Sequence, residues 1–180
     1  MPPKHKRRGT RRNTCSNEMA PPEDLIHDSR RQEILQVFQE ALQRSRSGAE
    51  EYVDTELPLS DARKALKKLQ LEGIKTEEIQ RYFGSDEDDD NKIDSIDADM
   101  FLRFSAAMTL QKEKSDKAFQ LMDGGEKGLV LIEDLQRVAA DLGEDLSEED
   151  LHEMMDFVDP SGEGLLSPKH FFKIARQVNL

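Results

Sequence analysis

The sequence has no tryptophan, one cysteine (Cys15) and no apolar run that approaches the length of a membrane-spanning helix. A lone cysteine cannot form an intramolecular disulfide, which favours a reducing, intracellular location. No apolar stretch follows the basic residues near the N-terminus, so we expect neither a secretory signal nor a membrane partner. Apolar and charged residues each make up 36% of the 180 residues, enough for one medium domain or two small lobes.

The net charge of −12 is unevenly distributed. Residues 1–20 contain one acid, Glu18, and six basic residues: Lys4, Lys6, Arg7, Arg8, Arg11 and Arg12. Their net charge is +5, so the remaining 160 residues carry −17. Residues 1–24 bury too little apolar surface to offset the entropy of ordering, and we expect a disordered basic tail. It suits nuclear targeting, nucleic-acid contact or a solubilising role, whereas the acidic body favours cations or basic partner helices.

From Asp28 onwards, apolar residues recur at three-to-four-residue spacing, which predicts amphipathic helices. Ser147 and Asp150 form the pattern of a capping box at the start of one helix. Pro168 suits the first turn of the last helix. We predict an all-α protein with eight helices in four pairs of roughly 35–40 residues, a period typical of a repeat architecture.

Residues 118–143 and 151–178 share one pattern of helix, loop and helix. Positions 1, 6 and 8 of the two loops carry matching residues: Asp123, Gly128 and Val130, then Asp159, Gly164 and Leu166. The pattern resembles the third and fourth hands of calmodulin- and centrin-type EF-hand proteins, and residues 29–110 resemble the first two hands more weakly. The resemblance implies a degenerate N-terminal EF-hand pair at 29–110 and a C-terminal pair at 116–180. Short β-ladders would join paired loops, with Val130 opposite Leu166.

Most of these loops lack calcium ligands. A calcium loop presents oxygen at positions 1, 3, 5, 7, 9 and 12, with a bidentate glutamate at position 12. The third loop has Lys127 at position 5, where an anion is needed, and the shorter Asp134 at position 12. The fourth has His170 at position 12, a poor ligand for a hard cation. The first, between Ser45 and Asp61, has no ligand pattern, so we expect no useful affinity in these three loops.

The second loop leaves two interpretations open. Read from Asp86, it offers carboxylates at positions 1, 3, 5, 9 and 12: Asp86, Asp88, Asp90, Asp94 and Asp97. Calcium or magnesium would be the cofactor in that register, which puts Ile93 at position 8. In the other register Phe101 follows the loop, Ile96 is at position 8 and Met100 at position 12, and the segment is merely acidic. No other cofactor is expected.

In the calmodulin family, a lobe of four amphipathic helices leaves an apolar groove that binds an amphipathic helix of a partner. The resemblance assigns seven residues to this groove: Leu121, Leu135, Ala139, Met154, Met155, Ile174 and Ala175. Leu135 and Met155 also suit the core, as do Phe119 and Phe171. Small side chains at Ala139 and Ala175 predict a deep pocket for one bulky aromatic anchor.

Together these features predict a non-catalytic, largely calcium-insensitive, centrin-like adaptor subunit of a hetero-complex. Centrin-like proteins with degenerate loops occur in fungal nucleotide-excision repair, attached to the protein that recognises DNA damage, and the basic tail suits such nuclear work. Two alternatives remain open: a myosin-light-chain-like subunit, and a calcium sensor or buffer that uses the loop at 86–97. We expect no enzyme, because the sequence offers no nucleophile–base pair, phosphate-binding glycine loop or transition-metal cluster.

Overall fold

The computed structural model of the protein describes residues 20–46, 55–84, 92–159 and 162–178. Within these ranges the chain forms eight helices and two short strands. The helices are α1 (Pro22–Leu25), α2 (Asp28–Arg46), α3 (Leu59–Lys68), α4 (Thr76–Tyr82), α5 (Ala98–Met122), α6 (Ile132–Leu142), α7 (Glu148–Val158) and α8 (Pro168–Gln177). The strands are β1 (Leu57–Pro58) and β2 (Ser95–Ile96). Most described residues are helical, so the predicted all-α class is confirmed.

Helix α5 runs without interruption through the charged segment 111–116, at the boundary between the EF-hand pairs predicted at 29–110 and 116–180. Residues 98–122 contain neither glycine nor proline, the residues that disfavour helix interiors most. Within the segment, the ammonium of Lys112 lies 2.5 Å from the carboxylate of Asp116 at the i,i+4 spacing that stabilises helices. The link between the two halves of the molecule is therefore a helix.

Helix α1 lies at the end of the region 1–24 that the sequence assigned to a basic tail. Residues 1–19 of that region fall outside the described residues. Pro22 begins the helix at a position where its missing N–H costs no hydrogen bond. The carboxylate of Glu23 pairs with Arg103 of α5 at 3.2 Å, and α1 packs against α5. Helical structure thus begins before the predicted start at Asp28.

Two apolar clusters form the interior of the part of the chain that the structure describes. The N-terminal cluster includes the fully buried side chains of Ile34, Leu57, Leu66, Ile79, Ile96, Phe101 and Phe104. The C-terminal cluster consists of Phe119, Val130, Leu135, Leu151, Met155 and Leu166. Helix α8 contributes to both, because Phe172 belongs to the N-terminal cluster whereas its neighbour Phe171 packs against the C-terminal cluster.

Among the described segments, two antiparallel pairings link the loops. Val130 and Leu166 exchange both backbone hydrogen bonds, at 3.0 and 2.9 Å, which confirms the predicted bridge between these residues. In the first half, β1 pairs with β2, so that Leu57 lies opposite Ile96. The pairing residue of the second loop is thus Ile96, as in the register that places Phe101 after the loop.

Candidate functional site

An open groove of 640 Å³ lies at the surface of the C-terminal half. Its apolar lining comes from α5 to α8 and the segments between them: Met122, Leu135, Leu146, Met154, Phe157, Val158, Leu166, Phe171 and Ile174. Phe157 is 82% exposed and Met154 is 46% exposed. Large apolar side chains on α7 therefore face solvent along this groove.

The structure brings three of the seven predicted groove residues together, namely Leu135, Met154 and Ile174. Met155 is buried in the C-terminal cluster. Ala139 and Ala175 are also buried and do not line the groove, and Leu121 is 79% exposed near the end of α5, outside the lining. Ala175 lies four residues after Phe171 and three after Phe172, so helix geometry places it between the two faces of α8.

Sequence reasoning missed Phe157, Leu146, Met122 and Val158, and it placed Phe171 in the core alone. A helical signal for Phe157 was present, because this residue lies three positions after Met154 and so shares its face of α7. For Leu146, in the segment between α6 and α7, no periodic pattern exists that could have indicated a place in the groove.

Two acidic residues of α7, Asp150 and Glu153, also line the groove. Asp150 completes the predicted capping box with Ser147: the Ser147 hydroxyl donates to its carboxylate at 2.6 Å, and its own N–H donates to that hydroxyl at 3.1 Å. The hydrogen bonds from the Ser147 hydroxyl and backbone N–H lower the pKa of Asp150. The rim of the groove is therefore negatively charged at neutral pH.

The third loop contains a cation supplied by its own chain. Lys127 Nζ lies 2.7 Å from Oδ2 of Asp134, which is 4% exposed. The same carboxylate accepts from the N–H groups of Leu131, at 2.9 Å, and Gly124, at 3.1 Å. Burial raises the pKa of Asp134, but the hydrogen bonds from Lys127, Leu131 and Gly124 outweigh it, so the pKa is lowered. Asp134 is thus ionised and paired with Lys127 at neutral pH.

Asp123 closes the other end of this loop. Its carboxylate accepts from the N–H groups of Lys127, at 3.0 Å, and Gly128, at 2.7 Å. At Gly124 a Cβ atom would lie 2.8 Å from Asp134 Oδ1, so only glycine fits there without displacing that carboxylate. The loop is fixed by internal hydrogen bonds to the carboxylates of Asp123 and Asp134.

In the fourth loop, Asp159 is buried and accepts from the N–H of Leu165 at 3.2 Å. Ser167 acts as the N-cap of α8, and its hydroxyl accepts from the N–H of His170 at 3.3 Å. The side-chain oxygen of Ser167, at position 9, thus accepts a hydrogen bond from the helix, and position 12 carries the imidazole of His170. Calcium prefers oxygen ligands, and positions 9 and 12 of this loop offer none that is unoccupied.

No protein-family model matches the chain. Caltractin of Naegleria gruberi is 31% identical over 170 residues, which cover 93% of this chain and 91% of that protein. This chain belongs to the centrin/calmodulin superfamily of EF-hand proteins. Human centrin-3 is 38% identical over 58 residues, which cover 32% of this chain and 35% of centrin-3. Cell division control protein 31 of Saccharomyces cerevisiae is 40% identical over 58 residues, with coverages of 32% and 36%.

In this EF-hand chain the second loop is described only in part. Asp86, Asp88 and Asp90, three of the predicted metal ligands, lie outside the described residues. Of the other two candidates, Asp97 directly follows the pairing residue Ile96 and caps α5, where its Oδ1 accepts from the N–H of Met100 at 2.8 Å. The position of Asp97 corresponds to that of Ser167 in the fourth loop, because each residue follows a pairing residue and caps the next helix.

Among the described residues of this EF-hand protein, no three histidine, cysteine, aspartate or glutamate side chains converge as a metal site would require. Likewise, none of the described helices combines the length and the apolar character needed to cross a bilayer. The C-terminal half thus has an open apolar groove with an acidic rim, beside a third loop that is held by its own ion pair and hydrogen bonds.

Proposed function

We propose that this chain is a non-catalytic, calcium-insensitive adaptor subunit whose C-terminal groove binds an amphipathic helix of a larger protein. The observation that carries the proposal is the open groove itself, with Met154 and Phe157 exposed. Contiguous exposed apolar surface rimmed by polar residues marks interaction sites. An amphipathic helix laid in a hydrophobic groove is a recurring mode of peptide recognition.

Calcium insensitivity is supported by the third and fourth loops. In the third, the ammonium of Lys127 takes the place between positions 5 and 12 where a metal ion would be held. In the fourth, His170 stands where a bidentate glutamate is needed. A groove that is open beside such loops does not depend on a metal for its shape.

The partner helix is expected to present several apolar anchors and a basic flank. Met122 and Met154 contribute flexible thioether side chains that adapt to varied anchors. Asp150 and Glu153 at the rim favour lysine or arginine on the partner. Because Ala139 and Ala175 lie away from the lining, the proposed groove is broad, in place of the deep single-anchor pocket expected from sequence.

The proposal extends to the organisation of the chain and its cellular setting. We infer two EF-hand pairs, at 29–110 and 116–180, which the Leu57–Ile96 and Val130–Leu166 pairings support. We also propose a nuclear complex, with the damage-recognition factor of nucleotide excision repair as the partner and nucleic-acid contact confined to the basic tail. The net charge of +5 on residues 1–20 supports this choice. Affinity purification with mass spectrometry separates it from a myosin-light-chain-like role, in which a motor heavy chain would be recovered.

The groove is tested with the full chain and a synthetic Leu/Lys amphipathic helix of about 18 residues, or about five turns, that carries one tryptophan. Because the protein has no tryptophan, peptide fluorescence reports binding directly. We expect micromolar affinity that is equal in excess chelator and in calcium. Absence of binding in both conditions would refute the adaptor role, and binding only with calcium would favour a sensor that uses the loop at 86–97.

A further inference from the structure

Helix α8 presents two faces to two different parts of the molecule. On one face, Phe171 and Ile174 line the groove. On the other, Phe172 is 5% exposed within the N-terminal cluster. Residues four apart share a helix face, so Arg176 lies beside Phe172, with its guanidinium carbon 5.1 Å from the centre of the ring.

Arg176 ties this second face to the N-terminal half. Its side chain is 5% exposed and lies 2.6 Å from the carboxylate of Glu78, in the first turn of α4. It also donates to the carbonyl of Gly73 at 3.0 Å. A second ion pair, between Lys169 and Glu72 at 2.7 Å, joins the start of α8 to the segment between α3 and α4 that contains Gly73. Both of its side chains are exposed.

The groove has room between Met154 of α7 and Ile174 of α8 although neither described loop of its lobe has a full ligand set. Closure lowers the free energy of an apolar groove that has no occupant, because it removes the apolar lining from water. A contact that holds α8 apart from α7 would oppose this closure. The Lys127–Asp134 pair cannot do so, since it fixes the loop between α5 and α6.

We propose that the N-terminal half holds α8 in the position that keeps the groove open, through Phe172 and the Arg176–Glu78 ion pair. This inference rests on the proposed function of the groove and adds its regulation: the N-terminal half takes the part that a bound ion would otherwise play. Arg176 and Glu78 are positioning residues, which act on the partner helix through Ile174 and Phe171 without touching it. A partner that binds the open groove and the N-terminal half that stabilises the same arrangement favour one conformation, so their effects are coupled.

The test uses charge reversal in the full chain. Arg176→Glu and Glu78→Arg each place like charges at the interface, and the double variant restores an opposite pair. We expect each single variant to lower the affinity for the Leu/Lys peptide by tenfold or more, and the double variant to recover most of the loss. Glu72→Lys is the matched control, because it reverses the exposed pair with Lys169 that also joins α8 to the N-terminal half, and its affinity is expected to stay within twofold of wild type.

A second measurement follows the groove without any peptide. Spin labels are attached to cysteines introduced at His152 of α7 and Lys173 of α8, in a Cys15→Ser background that removes the natural thiol. Double electron–electron resonance then measures the distance between the two helices. The distribution should shift to shorter distances in Glu78→Arg, and in the milder Glu78→Gln should that charge reversal fail to fold. Unchanged label distances together with unchanged peptide affinity would overturn the proposal. A distance shift in a protein whose wild type binds no peptide would instead refute only the proposed function.

Discussion

Lys127 Nζ lies 2.7 Å from Asp134 Oδ2, so positions 5 and 12 of the third loop are joined by an ammonium group in place of a metal ion. A calcium ion in such a loop would be drawn to the carboxylate at position 12. Here that carboxylate already accepts hydrogen bonds from Lys127, Leu131 and Gly124. The ammonium group of Lys127 thus takes up the carboxylate that a calcium ion would need.

Replacing Lys127 with methionine should destabilise the protein. Lys127→Met removes the cation and leaves the buried Asp134 carboxylate with only its backbone donors. Leaving a buried group without its partner costs about 1–3 kcal/mol, and more when the group is charged, so we expect a loss of about 2 kcal/mol in the free energy of unfolding. Urea denaturation measures it. Lys112→Met, which breaks the more exposed pair with Asp116, should cost less than about 1 kcal/mol, and equal losses would contradict the assignment.

The contribution of Asp134 should depend on pH in a defined direction. Its pKa is lower in the folded protein than in the unfolded chain, where an aspartate has a pKa of about 3.9. The stabilisation is therefore fully present above the unfolded value and is lost as the pH falls through the lower folded value. The stability difference between wild type and Asp134→Asn should be constant near neutrality and shrink below about pH 4. A difference that grew on acidification would show that the sign is wrong.

Calcium binding should appear when the lysine is replaced by a ligand. Lys127→Asp combined with Asp134→Glu provides carboxylates at positions 1, 5 and 12, with Asp123 as the first. Gly125 and Leu131 still offer no side-chain oxygen at positions 3 and 9, so we expect weak binding, with Kd on the order of 10⁻⁴–10⁻³ M. Calorimetry compares this variant with Lys127→Met, which should release no heat of binding. Calcium binding by Lys127→Met at the same loop would mean that removal of the ammonium is sufficient and that no ligand at position 5 is needed.

Peptide binding should depend on exposed apolar residues inside the groove and not on those outside it. Phe157→Asp places a charge in the lining, whereas Leu142→Asp changes a residue of α6 that is 74% exposed and does not contribute to the lining. We expect the first to weaken binding of the Leu/Lys peptide by at least tenfold and the second to leave it within twofold. Both variants should melt near the wild-type temperature, because neither residue is buried. Equal losses would place the peptide elsewhere.

Local patterns in the sequence predicted the elements that short-range rules determine. The capping box of Ser147 and Asp150 depends on residues three apart, and it forms. The Val130–Leu166 bridge follows from a loop register that both loops share. Each of these features depends on residues whose relative positions are set by one helix or one loop type, so no knowledge of distant packing was needed.

Features that depend on distant partners were not predictable in the same way. Phe171 and Phe172 are adjacent residues of one type, and periodicity cannot tell which of two clusters each one joins. That choice depends on where the N-terminal half lies against α8, as the contacts of Arg176 with Glu78 and Gly73 indicate. For the same reason the sequence could not tell that Ala175 would be buried outside the lining of the groove.

The unbroken course of α5 bears on how this protein can be divided for experiments. A cut between residues 111 and 116, where a sequence-based design would separate the halves, interrupts a continuous helix. It would also strip the covering from Phe172 and leave Arg176 without Glu78 in the C-terminal fragment. Fragments made in this way would expose apolar and charged surface that the intact chain covers. Proteins captured on such fragments would therefore include ones that bind this newly exposed surface and not the native protein.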